Sequence, residues 1–404
     1  MKQKKSKRRP WVRPRHRVVT AILRLILTPV CRIRYGLKVR RFRDKRQVLA
    51  VMNHQTAFDQ FFVSLVLGRP VYYLASEDLF SLGWVSSLIR YLVAPIPIRK
   101  SATDARAVMT AMRVAKEGGS IAVFPEGNRT YSGKTGNIKE SIAPFARALR
   151  LPIAVLRAEG GYGVHPRWSD TVRRGGMTVG VVRVIEPEEY ASLSDAELYA
   201  LLVSELAVDE STPSGAYRGA HRAEYLERAI YYCPFCGFAR FESHGARVCC
   251  TSCGREVEYG EDKSLSGVGF PFPYRTMTEW CAAEEQAMRE LALAPYLETP
   301  LFRDTASQLE VIPFERRRLL HARVTLSVYA DRFVLAAEDG VREIPFDSVT
   351  AVSVLGRNKL NIYVGAEIVQ LKGDERFCAL KYMHTYYRVK NEEEGNRYAE
   401  FLGI

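Results

Sequence analysis

Five short, mostly apolar runs constrain this chain more than any other feature: residues 48–52 (VLAVM), 71–74 (VYYL), 121–124 (IAVF), 153–156 (IAVL) and 177–185 (MTVGVVRVI, interrupted by Thr178 and Arg183). A strand covered on one face alternates apolar with polar residues, whereas a strand covered on both faces stays apolar, as the inner strands of parallel sheets do. Between the runs lie helix-like stretches at 59–67, 102–116 and 138–150. Strand and helix in alternation predict an α/β domain with a largely parallel sheet over 47–208. Such sheets bind ligands along the edge where their strands end, so polar clusters there are the first candidates for chemistry.

Charge is concentrated at the start of the chain. The first 46 residues hold 18 of the 59 Lys+Arg and one of the 45 acids, leaving 41 basic against 44 acidic residues elsewhere, so the formal +14 belongs to a basic arm in front of a near-neutral body. Within the arm, residues 18–30 (VVTAILRLILTPV) as a helix put Val18, Val19, Ile22, Leu23, Ile26 and Val30 on one stripe, with Arg17 and Arg24 opposite. The run falls short of the roughly 18 apolar residues of a bilayer span and lacks the cleavage site of a secretory signal. Two readings stay open: a helix lying on an anionic membrane surface, and an ordinary first helix packed on the body behind a basic tail. The former predicts a peripheral protein on the cytoplasmic face of a membrane.

The first apolar run leads directly into Asn53-His54-Gln55-Thr56-Ala57-Phe58-Asp59. Residues five apart on a helix differ by about 140° in direction, so His54 and Asp59 would not meet on one continuous helix but can meet if His54 sits in the loop and Asp59 in the first turn of the next helix. Such a pair is a base oriented by a carboxylate; the bland alternative is a capping Asp beside a satisfied loop His. The third run ends in Pro125-Glu126-Gly127-Asn128-Arg129-Thr130 at the same kind of strand end. There Arg129 offers a planar fork suited to phosphate and Gly127 lets backbone approach closely, unless the segment is only a turn. Arg99, after residues 93–98, is a third basic group, or a solvated charge.

NHQTAFD and FPEGNRT, in this order and about 65 residues apart, resemble the first and third motif blocks of the glycerolipid acyltransferase family, the family of 1-acylglycerol-3-phosphate acyltransferases. Residues 96–99 (IPIR) and 151–155 (LPIAV) resemble its second and fourth blocks more weakly. The resemblance implies that His54 is the general base and Asp59 its orienter. It also places Asn53, Arg99, Glu126, Gly127 and Arg129 in substrate binding. By the same resemblance the reaction moves a fatty acyl group from acyl-CoA or acyl carrier protein to a lysophospholipid hydroxyl. Asn128 stands where many members have threonine, and the fourth block lacks a second proline, so the acceptor pocket is expected to differ in detail.

Cys233-Pro-Phe-Cys236 and Cys250-Thr-Ser-Cys253 are two C-x-x-C knuckles whose four thiolates suit a closed, structural Zn²⁺ site resembling a zinc ribbon. Disulfides fit poorly beside the scattered Cys31, Cys281 and Cys378. From residue 322 onward, short alternating strands and then a helix resemble in pattern a pleckstrin-homology-type domain. Arg357 and Lys359 fall in a hairpin turn there and read as solvated charge.

The expected organisation is a basic amphipathic arm (1–46), the α/β acyltransferase domain with a largely parallel sheet (47–208), a linker (209–225), a zinc ribbon (226–262), a partly helical connector (263–310) and a small antiparallel β-domain capped by a helix (311–404). Expected partners are an anionic membrane surface, a lysophospholipid acceptor and an acyl carrier protein. The rival reading, a nucleic-acid-binding zinc-ribbon protein with a basic arm, would make both motif blocks coincidental, so nucleic acid is disfavoured. A catalytically idle lipid-binding scaffold is disfavoured by the presence of both His54 and Asp59.

Overall fold

A computed structural model of the chain describes residues 9–98, 104–313 and 315–401. The first part is built from α1 (Pro14–Tyr35), β1 (Leu37–Val39), β2 (Leu49–Met52), α2 (Asp59–Leu67), β3 (Val71–Ser76), α3 (Trp84–Val93), β4 (Ile96–Ile98), α4 (Ala105–Lys116), β5 (Ser120–Val123), α5 (Ile142–Leu149), β6 (Ile153–Glu159), α6 (Gly161–Val164), β7 (Met177–Ile185), α7 (Pro187–Ala191) and α8 (Asp195–Leu206). The sheet order is β1-β7-β6-β2-β5-β3-β4. Neighbours run parallel except β6 and β7, which are antiparallel. Residues 177–185 therefore form a strand as their apolar pattern predicts, in the opposite sense.

All four residues of β2 are buried. Their alternation divides them between two cores, with Leu49 and Val51 packing beside Ile153 and Val155 on one face, and Ala50 and Met52 beside Ala154 and Leu156 on the other. Both faces are thus dry, which is why the strand carries no polar residue. Helices start where the sequence can satisfy their first amides: Asp104 accepts from the Arg106 and Ala107 N–H at the head of α4, and Ser194 and Glu197 form a capping box on α8.

The arm is joined to this body. Pro14 opens α1, and Gly36 closes it at φ 57°, where a Cβ would lie 2.2 Å from the Gly175 carbonyl oxygen. Cys31 and Tyr35 are buried in the sheet core, His16 Nδ1 meets the Tyr72 hydroxyl at 2.9 Å, and β1 is an edge strand. The outer face of α1 remains bare, with Val18, Ile22, Leu25, Ile26, Val30 and Ile33 exposed. Among the described residues no helix is long and apolar enough to cross a membrane.

Residues 209–225, expected as a linker, are packed: the backbone of Asp209 pairs with that of Lys134 and the backbone of Arg218 with that of Arg174 in isolated β-bridges, and Tyr217 is buried in the sheet core. The cysteine module follows as the hairpin β8 (Tyr232–Cys233) and β9 (Gly237–Phe238), then a four-stranded sheet of β10 (Phe241–His244), β11 (Arg247–Cys250), β12 (Glu256–Tyr259) and β13 (Leu265–Gly267). Helix α9 (Met277–Glu290) connects it to the last part. That part comprises β14 (Phe302–Ile312), β15 (Arg316–Val328), β16 (Arg332–Ala337), β17 (Gly340–Pro345), β18 (Val349–Leu355), β19 (Lys359–Val364), β20 (Glu367–Gly373) and α10 (Leu380–Glu393). Its seven antiparallel strands run β17-β16-β15-β14-β20-β19-β18, and Tyr382 and Tyr386 of α10 pack into its core. The expected boundary at 311 falls inside β14, the one strand of this sheet that the sequence reading passed over. Only Ala306, Gln308 and Val311 of it are buried, so it offers no apolar run to read.

Candidate active site

Strands β2 and β5 are parallel neighbours, so the loops that follow them leave the sheet at the same edge. Asp59 is the first residue of α2 and is wholly buried. Its Oδ2 accepts from His54 Nδ1 at 2.8 Å and from the Gln55 and Thr56 backbone N–H at 2.7 and 2.9 Å, while Oδ1 accepts from the Thr56 hydroxyl at 2.5 Å. Three donors besides the histidine hold the carboxylate in place. The loop-then-helix arrangement is one in which the five-residue spacing lets the two side chains meet. The His54 ring stacks on Phe124 at 4.4 Å between centroids, and Phe124 stacks in turn on Tyr73. Burial holds the His54 imidazole below its ordinary pKa, against the pull of the Asp59 hydrogen bond and with a further push from Arg129 and Arg167. At neutral pH it is a neutral imidazole with its proton on Nδ1, which leaves the Nε2 lone pair for a substrate proton.

The remaining expected residues divide. Asn53 is buried, and its amide is engaged on both sides by the Ala158 backbone, donating at 3.0 Å and accepting at 2.8 Å. It ties the end of β2 to β6 and does not face a substrate. Glu126 is also a strut: its two oxygens accept from the His54 N–H at 2.6 Å and the Gly136 N–H at 2.7 Å. Burial raises its carboxyl to about 8. The expected acceptor contact is thus replaced by a brace under the His54 backbone. Gly127 sits at φ 69° and donates to the Phe124 carbonyl at 2.9 Å, making the turn that carries Arg129 back toward His54. Arg99 lies outside the described residues.

Arg129 does reach the site. Its Nη1 is sealed from solvent with no hydrogen-bond partner among the described residues. Burial, and then the charges of Arg167 and Arg357, lower it to about 10. A buried guanidinium nitrogen left open costs free energy unless an anion completes it. Arg167, which the sequence reading missed, is 3% exposed, lies over the Tyr131 ring at 4.2 Å, and donates to the Arg129 carbonyl at 2.8 Å. Beside it, the four charges of Arg357, Arg129, Arg34 and Arg173, added to burial, push His165 down to about 3. The local potential is strongly positive. His165 and Arg167 follow the carboxyl end of β6, so their place on the sheet edge was a usable signal; nothing in the sequence links Arg357 to them.

In the cysteine module, the Sγ atoms of Cys233, Cys236, Cys250 and Cys253 all lie within 4.8 Å of one another, with Cys236–Cys250 at 3.5 Å and Cys233–Cys253 at 3.8 Å. Four sulfurs at about 2.3 Å from a tetrahedral ion would be about 3.8 Å apart, so the four can hold a metal ion.

A carboxylate-oriented histidine on one loop thus lies beside a buried arginine on the next, an arrangement chemically suited to taking a proton from a hydroxyl next to an anionic group. Residues 36–157 of the chain match the Acyltransferase family model. Over 138 residues it is 27% identical to "1-acyl-sn-glycerol-3-phosphate acyltransferase BAT2, chloroplastic" of Brassica napus, covering 33% of this chain and 38% of that protein. It is 23% identical over 144 residues to the 1-acyl-sn-glycerol-3-phosphate acyltransferase of Bacillus subtilis, covering 35% of this chain and 67% of the relative. Among solved structures, the 1-acyl-sn-glycerophosphate (LPA) acyltransferase PlsC of Thermotoga maritima aligns with TM-score 0.40 and 21% identity over 47% of this chain and 76% of that one. The match to the plant relative spans well under half of its length.

Proposed function

We propose that the protein transfers a fatty acyl group from a thioester, acyl-CoA or acyl carrier protein, to the hydroxyl of a lysophospholipid, with 1-acylglycerol-3-phosphate as the best-fitting acceptor. The observation that carries this reading is the His54–Asp59 hydrogen bond at 2.8 Å beside the open, buried Nη1 of Arg129. His54 Nε2 takes the acceptor's hydroxyl proton as the oxygen bonds to the thioester carbonyl carbon. The tetrahedral intermediate then collapses, the carbon–sulfur bond breaks, and the imidazolium returns the proton to the departing thiolate. Asp59 steadies the imidazolium while it exists, and Arg129 holds the acceptor's phosphate. Replacing His54 with Ala should abolish thiol release from acyl-CoA in the presence of lysophosphatidate, at an unchanged melting temperature. Turnover like that of the wild type would remove the assignment.

Two further parts of the reading concern surroundings. The basic residues of the first 46 and the bare apolar row of α1 support a peripheral seat on an anionic membrane, where each nearby Lys or Arg contributes about 1 kcal/mol. The four-cysteine cluster would hold a structural Zn²⁺, which closes the module by coordination and leaves no open position for chemistry. One zinc per chain by elemental analysis, and a lower melting temperature after chelation, would test this without recourse to activity.

A further inference from the structure

The turn between β18 and β19, Gly356-Arg357-Asn358, belongs to the C-terminal β-domain, yet it lies against the candidate active site. Arg167 donates from Nε to the Gly356 carbonyl at 3.0 Å and from Nη2 to the Val354 carbonyl at 2.8 Å, while its Nη1 reaches the Arg129 carbonyl. Its donors thus go to neutral carbonyls; no carboxylate pairs with it among the described residues. Arg357 itself contacts His165 Nε2 at 3.1 Å and pairs with Asp170 at 2.5 Å. That carboxylate is already shared, because Arg228 binds both of its oxygens at 2.8 and 3.1 Å. One acid therefore serves two guanidiniums, and the cluster of Arg129, Arg167 and Arg357 keeps an excess of positive charge around an open buried nitrogen. Such an arrangement is costly in an empty site and matched to a dianion.

We propose that the C-terminal β-domain is a working part of the acceptor site: its β18–β19 turn brings Arg357 to the anion pocket of Arg129 and holds Arg167 there through backbone carbonyls, so that a phosphomonoester is bound between the two domains. This rests on the acceptor reading of Arg129 given above. It assigns a role to a domain outside the matched family region, and it makes the phosphate of the acceptor, rather than those of coenzyme A, the group that Arg357 meets.

The test is equilibrium binding by calorimetry to the full chain, with sn-glycerol 3-phosphate, inorganic phosphate and coenzyme A as separate probes, for wild type, Arg357→Gln and Arg357→Lys. Arg357→Gln should weaken glycerol 3-phosphate about tenfold, Arg357→Lys clearly less, and neither should move coenzyme A by more than twofold. Inorganic phosphate should fall in parallel if the phosphoryl group alone is read. Unchanged glycerol 3-phosphate affinity in a cooperatively melting Gln variant overturns the proposal, as does a loss confined to coenzyme A or no binding by wild type. Should the Gln variant not fold, phenylglyoxal labelling of wild type decides: glycerol 3-phosphate should protect Arg357 at least threefold by peptide mass spectrometry, and absence of protection refutes it. Turnover assays separate the two readings, since a wild type that binds the probe but transfers no acyl group loses the proposed reaction and keeps the pocket.

Discussion

Replacing Asp59 with Asn tests the dyad with little disturbance of the fold. An amide oxygen in the Oδ2 position can still accept from His54 Nδ1 and the Gln55 and Thr56 N–H, and the amide nitrogen would meet the Thr56 hydroxyl, which can turn to accept. The tautomer and position of His54 survive; what is lost is the negative charge beside the imidazolium formed during transfer. With charge centres about 4 Å apart and an effective dielectric constant of about 20, that charge is worth about 4 kcal/mol, or about a thousandfold in kcat. The assay is release of free thiol from acyl-CoA at saturating lysophosphatidate, followed over pH. Asp59 raises the His54 pKa against the lowering effect of burial. The Asn variant should therefore lose rate on the plateau and also move the acidic limb of its profile to lower pH. A variant that melts like wild type and keeps kcat within tenfold, or whose acidic limb moves upward, would refute the assignment of base and orienter.

Other outcomes follow from the same contacts. Glu126, raised from an ordinary 4.5 to about 8 by burial, favours the folded state most below about pH 4.5 and loses that contribution as pH rises toward 8; in urea melts, the stability of wild type relative to Glu126→Gln should fall across this window, and a constant difference would count against the buried carboxyl. Leu25 and Ile33 on α1 are 79% and 87% exposed, so the double change to Glu should leave the melt unaltered but weaken sedimentation with anionic vesicles at least tenfold, since each apolar side chain entering the bilayer contributes about 1.5–3 kcal/mol; equal sedimentation would end the membrane reading of that face. Cys236→Ser should lower zinc content and destabilise the chain by several kcal/mol in thermal melts, and full retention of metal and stability would exclude Cys236 as a ligand.

The parts legible in the sequence are those written in local pattern. Apolar runs such as residues 48–52 announce a doubly covered strand, and the five-residue step from His54 to Asp59 fits a loop-to-helix placement and not one continuous helix. Two kinds of feature were not legible. Glu126 and Asn53 stand inside motif blocks and look like ligand contacts, but burial turns them inward to brace the backbone at Gly136, His54 and Ala158. Strand β14 is amphipathic and mostly polar, and only its pairing with β15 and β20 makes it a strand. Neither fact has a signature within a few residues.

The arginines make the sharper case. Charge summed along the chain puts the positive excess in the first 46 residues and leaves −3 for the rest, which reads as a body with no call for a polyanion. Potential, however, depends on where side chains converge, and a near-neutral total is compatible with a strongly positive pocket. Arg129 follows β5, Arg167 follows β6, and Arg357 comes from a turn 192 positions beyond His165, which it touches. Their acids are spent elsewhere: Asp59 on His54, Glu126 on two backbone amides, and Asp170 divided between two guanidiniums. On the proposed reading the basic arm would serve attraction to an anionic surface, whereas selection of a phosphate at the site would fall to three arginines that only the fold brings together.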